Sequence, residues 1–329
     1  MPRNGMLFLL FFNALVAFFG FYSLSSSAEE NPNTLVPKVV FVLDNQAGNY
    51  LPILKGFREY SRKQVGRLIR IDLVNTENLT SAELRTQLNQ GYQLAIAIGS
   101  DATSVVRDVK PELPLFTLKV NQAELLALHK ASLKQKSPVT GIFLDQPFER
   151  YAKLVQLLLP NYRRVGTLLS QQTKTLKPGF DKTMRSFQFD PIVTIVRPND
   201  LPQRILERLA KNTDVIIAVH DENIYTPANL KSHLLTAFRH QIPVVGVSRS
   251  YTDIGALAAL YTDEYDLGAQ TARQVIKVLD LSDFTLEPVY PEGFKVRINY
   301  NVLRSFGIES VDEATVAEQI AKTTITNGL

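Results

Sequence analysis

The strongest constraint on this chain is an alternation that runs through it twice: short aliphatic stretches, each followed by a stretch with helical spacing. The first pass reads KVVFVLD (38–44), YLPILKGFREYSRKQ (50–64), LIRIDLVN (68–75), SAELRTQLNQG (81–91), LAIAIGS (94–100), ATSVVRDVK (102–110), PLFTLKVN (114–121), AELLALHKAS (123–132) and VTGIFL (139–144). Aliphatic runs bounded by polar turns are buried strands. Strands alternating with helices imply parallel pairing through right-handed crossovers. The pattern then restarts with the helical PFERYAKLVQLLLP (147–160) and the strand RRVGTLLS (163–170). FDPIVTIVRP (189–198), DVIIAVHDENIYTP (214–227), IPVVGVS (242–248) and ALAALYTD (256–263) add strands, with the helical LPQRILERLAKN (201–212) among them. A long helix, EYDLGAQTARQVIKVLD (264–280), and a last strand, GFKVRINYN (293–301), close the series. The expected fold is α/β, with two doubly wound parallel-sheet lobes.

Two corners in this pattern are rich in small polar groups. LAIAIGSDATSVVRD stops abruptly at Gly99, where Ser100, Asp101 and Thr103 stand as helix-capping residues. Such a corner exposes backbone N–H groups and hydroxyls suited to a carboxylate or phosphate, and it is equally a plain N-cap. The second half echoes it: the run from Val215 to Val219 stops at His220, Asp221, Glu222 and Asn223. In open α/β sheets ligands sit outside the carboxyl ends of the strands. Two lobes whose decorated edges face each other make a cleft that closes by rigid-body rotation about a hinge.

Composition excludes several classes of function. The chain has 329 residues, 45% of them hydrophobic and 21% charged, the balance of a folded globular protein with ample core. The formal net charge of +4 comes from scattered Lys and Arg. The local group Arg58, Arg62, Lys63, Arg67 and Arg70 reads as a solvated helix face, and no nucleic-acid partner is expected. Cysteine is absent, which removes thiol catalysis, Cys-ligated zinc, disulfides and an acylated cysteine anchor together. The histidines His129, His220, His233 and His240 form no HExxH pair, and no metal or other cofactor is expected. After the first strand stands LDNQAGNY in place of GxGxxG, and neither GxxxxGK[ST] nor GxSxG occurs. An enzyme on a doubly wound fold is therefore the weakest reading, and no catalytic residue is expected.

The N-terminus reads as a targeting segment. Arg3 precedes a charge-free apolar stretch from residue 6 to residue 24, followed by Ser26 and Ala28 as small residues before Glu29 and Glu30. This order predicts a secretory signal, 1–28, cleaved after Ala28, with an uncleaved membrane anchor as the alternative. Residues 29–36 read as a leader, and the expected location is the periplasm.

From Pro37 to about Ile308 the chain resembles the bacterial ABC-transporter substrate-binding proteins of the tryptophan- and tyrosine-binding type. VTGIFLDQPFERYAKLVQLLLPNYRRVGTLLS and IPVVGVSRSYTDIGALAALYTDEYDLGAQTARQVIKVL carry the resemblance, together with the closing strand and FGI. GALAALYTDEYDLGAQTA is the most specific, because neither helix nor strand periodicity demands its order. The resemblance implies a type I periplasmic-binding-protein fold with three hinge crossings. It places the N-terminal lobe at 37–141 plus 264–283, the C-terminal lobe at 142–263 plus 284–308, and a frayed tail at 309–329.

The resemblance also implies where a ligand is met: Ser100, Asp101, Ala102 and Thr103 at the first corner, Asp145 and Gln146 at the entry to the second lobe, Ser170 and Gln171 after its first strand, Asp221 and Asn223 at the echo corner, and Asp263 near the third crossing. There a ligand carboxylate would meet the first corner, and an ammonium would suit Asp221 or Asp263. Asp145 and Asp263 read equally as helix caps. Tyr50, Tyr225 and Tyr251 fall near the cleft edges as stacking or packing residues. Three corners depart from the family pattern: Val120, Asn121 and Gln122; Ser170, Gln171 and Gln172; and His220, Asp221, Glu222 and Asn223. The expectation is thus a monomeric binding protein that captures an amino acid or related zwitterion or anion and presents it to a membrane permease. The alternative partner is a membrane sensor kinase or cyclase.

Overall fold

The computed structural model describes residues 36–44, 50–64, 66, 68–135, 138–282, 285–309 and 311–323. The expected signal segment lies outside them. Five strands, β1 (Lys38–Leu43), β2 (Arg70–Asn75), β3 (Leu94–Ile98), β4 (Leu115–Val120) and β5 (Val139–Phe143), form a parallel sheet in the order β2-β1-β3-β4-β5. Between them lie α1 (Leu51–Glu59), α2 (Ser81–Leu88), α3 (Ser100–Val109) and α4 (Gln122–Gln135). The continuous apolar runs follow from helices on both faces. Along β1, Val39, Phe41 and Leu43 pack on Ile53, Leu54 and Phe57 of α1, whereas Val40 and Val42 pack on Leu84, Leu88 and Val106 behind the sheet.

The second sheet repeats that order. After α5 (Phe148–Leu158) come β6 (Arg164–Leu169), α6 (Lys177–Ser186), β7 (Asp190–Ile195), α7 (Pro202–Ala210), β8 (Val215–Ile217), α8 (Leu230–Arg239), β9 (Val244–Gly246), α9 (Arg249–Ile254) and β10 (Ala258–Tyr261). The sheet runs β11-β10-β9-β8-β6-β7, so β7-β6-β8-β9-β10 has the winding of the first sheet. The strand β11 (Lys295–Ile298) joins the edge antiparallel to β10. Between β10 and β11 the helix α10 (Glu264–Leu281) returns to the first lobe, where Leu267, Ala272 and Val275 share the β1–α1 core. The third crossing then adds a rung at β5: Phe143 N–H donates to Val289 O at 2.9 Å and Val289 N–H to Gly141 O at 3.0 Å.

One expectation is corrected at the C-terminus. Residues 313–321 form a helix, α12 (Glu313–Ala321), that follows α11 (Tyr300–Ser305), where a frayed tail is expected. Asp312 caps α12 by accepting the Thr315 N–H at 2.8 Å, and Val316 and Ile320, one helical turn apart, sink into the second-lobe core. Glu313 accepts the Ile298 N–H at 2.8 Å, so α12 covers the otherwise open edge of β11.

Helices α1 and α10 cross in backbone contact. A Cβ at Gly268 would lie 2.0 Å from Ile53 O, and one at Gly56 would lie 2.0 Å from Tyr265 O. On an open helix Gly→Ala stabilises. Here Gly268→Ala must push the helices apart, and we expect a loss of about 1–3 kcal/mol in chemical denaturation. A stability equal to or above the parent's would show that this crossing is loose.

Candidate functional site

In each lobe the chain turns back on itself between two neighbouring strands, β1 and β3 in the first and β6 and β8 in the second. The carboxyl ends of these pairs hold the polar corners. In the first, Gly99 ends β3 with φ of +102°, and a Cβ there would meet Asp44 Oδ2 at 2.7 Å. Asp44, at the end of β1, accepts the Ala102 N–H at 3.0 Å. The N-terminus of α3 therefore already holds a carboxylate, the chain's own. Ser100 Oγ donates to Glu124 Oε2 of α4 at 2.9 Å. Thr103 Oγ1 bonds Gly99 O and shares a 2.7 Å contact with Thr117 Oγ1, and both Ala102 and Thr103 are fully buried. Of the four residues expected at this corner, Asp101 alone is exposed and Ser100 half-buried.

The second corner is built the same way in mirror order. Asp221, buried at the end of β8, reaches across to β6: its Oδ2 accepts the Ser170 N–H at 2.8 Å and the Thr173 hydroxyl at 2.5 Å. Its Oδ1 accepts the Asn223 N–H at 3.0 Å. Ser170 Oγ takes the Gln172 N–H, and Asn223 Nδ2 donates to Gln172 Oε1 at 3.0 Å. Gln171 is exposed, its Oε1 accepting Lys174 Nζ at 3.0 Å. Behind this rim the Tyr225 and Tyr251 rings lie 6.2 Å apart, and burial raises both hydroxyl pKa values. Tyr50 stands at the start of α1 against the first-lobe core.

The remaining expected residues lie on the crossings. Asp145 is buried and accepts the Gln122 N–H at 2.5 Å, which caps α4 rather than α5. Burial raises its pKa, against the opposing pull of His220 and of the Gln122 and His220 backbone amides. Burial likewise lowers the His220 pKa, opposed by Asp145. Gln146 bridges Thr262 and Arg150. Asp263 caps α10, accepting the Tyr265 N–H at 2.9 Å.

The two rims meet. Ala123 of α4 packs into the second-lobe core, and α4 touches the turn at Lys174–Leu176. Glu124 has a raised pKa through burial, partly offset by the Ser100 hydroxyl, with the charges of Glu222 across the rims and of Asp101 beside it adding to the rise. Asp44, Glu124, Thr173 and Arg150 were not legible as site residues. Only Asp44, a carboxylate closing a buried strand as Asp221 approximately does, carries a local signal. Among the described residues no group of three or more His, Asp or Glu could hold a metal, and no helix is long and apolar enough to cross a membrane.

Residues 53–321 match the family model of the ABC transporter substrate binding proteins. The chain belongs to this family. The family and its fold are those of non-enzymatic substrate-binding proteins. No curated protein sequence matches the chain significantly. Among solved structures, the ABC domain in complex with L-Trp from Streptococcus pneumonia is similar with a TM-score of 0.59 and 17% identity, covering 86% of this chain and 98% of its own. The ligand-free, open CD0873 from Clostridium difficile, a substrate binding protein with adhesive properties, is similar at a TM-score of 0.65 and 16% identity, covering 84% and 97%. A periplasmic ribose ABC transporter protein from Conexibacter woesei gives 0.51 and 11%, covering 86% and 98%. At these identities the likeness establishes the type I periplasmic-binding-protein fold.

Within this substrate-binding protein the raised pKa of Glu124 has a sign that can be worked out. A carboxylate whose folded pKa lies above its ordinary 4.5 favours the folded state when protonated, so it stabilises below that value and loses this contribution as pH rises. We expect Glu124→Gln to melt higher than the parent at pH 7, with the gap closing below pH 4.5. A gap that is constant across that range would mean the carboxylate carries no such penalty.

Proposed function

We propose that the chain is an extracytoplasmic solute-binding protein of an ABC-type uptake system, which captures an amino acid or a related zwitterion between its lobes and presents it to a membrane permease. The supporting observation is that each lobe carries a polar strand-end rim, and that the lobes touch beside those rims where Ala123 of α4 packs into the second-lobe core and α4 meets the turn at Lys174–Leu176. The ligand lies between Ser100, Asp101, Ala102 and Thr103 on one rim and Ser170, Gln171, Asp221 and Asn223 on the other, with Asp145, Gln146 and Asp263 at the crossings. The proposed lobes are 37–141 plus 264–283 and 142–263 plus 284–308. The protein acts as a monomer in the periplasm, exported by residues 1–28.

The chemistry of the rims orients the ligand. Asp44 and Glu124 already occupy the Ala102 N–H and the Ser100 hydroxyl, so the first rim offers a carboxylate ligand little and an ammonium three acidic neighbours, Asp101, Glu124 and Glu222. The exposed Gln171 amide and the Lys174 ammonium bonded to it supply donors for a carboxylate on the second rim. A purely anionic solute fits this arrangement poorly.

Thermal unfolding of the chain from Glu29 against amino acids, sugars, purines and oligopeptides tests the reading. At a hundredfold excess over its Kd, a true ligand adds about 2.7 kcal/mol of stability. Amino acids are expected to give the shift, and Glu124→Gln to reduce it despite its higher melting point. A shift from sugars alone, or none from any solute, would contradict the proposal.

A further inference from the structure

Arg150 sits in the first turn of α5, and the residue is 5% exposed. Its guanidinium reaches the first crossing (144–147), where Nη1 donates to Gln146 Oε1 at 2.5 Å. It also reaches the third crossing (285–294), where Nη1 donates to Pro291 O at 2.8 Å and Nη2 to Glu292 O at 2.9 Å. The Phe294 ring lies under it, with Cζ 4.6 Å from the ring centroid. Gln146 extends the network to the second crossing, its Nε2 donating to Thr262 Oγ1 at 2.6 Å. From the other side Gln270 of α10 ties the same third crossing, donating to Tyr290 O and accepting the Glu292 N–H, each at 2.9 Å. One side chain is therefore bonded, directly or through one amide, to every segment that joins the lobes.

The chemistry of this placement is unusual for a structural arginine. Burial lowers its pKa to about 10, with Glu149 beside it opposing the fall, so the group is charged at neutral pH while its three acceptors are neutral oxygens. A buried charge, even with a carboxylate such as Glu149 near it, is a poor source of stability compared with a packed hydrocarbon. What a guanidinium adds is geometry, since its planar fork holds several acceptors at fixed angles where an ammonium cannot. Domain closure concentrates its dihedral changes in a few residues of the segments that join the lobes.

We propose that Arg150 is the pivot of the hinge, a positioning residue that clasps the three crossings into one unit and so defines a single axis of lobe closure. It lies on the crossings, bonded to Gln146 and not to the residues of either rim. The proposal assumes from the capture reading only that the lobes move, and its test needs no ligand, so the two can fail separately.

Because the chain has no cysteine, Lys130→Cys on α4 and Lys182→Cys on α6, both exposed and one on each lobe, can carry a pair of spin labels. In the ligand-free parent the interlobe distance distribution is expected to be narrow. In Arg150→Met it should broaden and extend to longer distances, and in Arg150→Lys, which keeps the charge without the fork, it should be intermediate. An Arg150→Met distribution as narrow as the parent's would overturn the proposal, even with a lowered melting temperature, since that result marks packing alone. Should Arg150→Met fail to fold, Thr262→Val severs only the link to the second crossing. It should broaden the distribution to a smaller extent, and an unchanged distribution would overturn the proposal equally.

Discussion

A parallel strand that ends inside a lobe leaves backbone N–H groups at the turn into the next helix, and these need acceptors where water is largely excluded. In this chain a side-chain carboxylate answers that need at both places where the sheet winding reverses. Asp44 spans from β1 to the corner after β3, and Asp221 spans from β8 to the corner after β6. Each draws two neighbouring strand ends together and orients the residues beyond them. Both corners are therefore pre-formed by the protein's own charges.

The consequence reaches the ligand. A helix N-terminus at the end of a parallel strand is an ordinary seat for an anion, and here an internal anion has taken it. On the proposed reading, Glu124, bonded by Ser100 and under the electrostatic influence of Glu222, makes the first rim favour positive charge. The family membership establishes a substrate-binding protein.

Much of the fold was legible because periodicity is local. The aliphatic runs from Val39 to Leu43 and from Leu94 to Ile98 announce strands buried on both faces, and their alternation with helices dictates parallel winding. The glycine at position 99 announced a sharp corner, and the echo at Asp221 announced a second. What those corners hold was not legible. The Asp44–Ala102 bond links residues 58 apart, the Asp221–Ser170 bond 51 apart, and Arg150 meets Pro291 across 141 residues. No spacing rule encodes such pairings. The terminal helix is not legible for a related reason: Val316 and Ile320 form only a two-residue apolar stripe, which becomes a helix face once the β11 edge is there to cover.

Amide hydrogen exchange of the ligand-free protein tests the central claim most directly. If Asp44 and Asp221 fill the corners, the Ala102 and Ser170 amides are protected to the level of the strands around them before any solute is added, and a ligand changes them little. Exchange of both amides at loop rates in the free protein, with protection appearing only on ligand addition, would show instead that the corners wait for the ligand's own carboxylate.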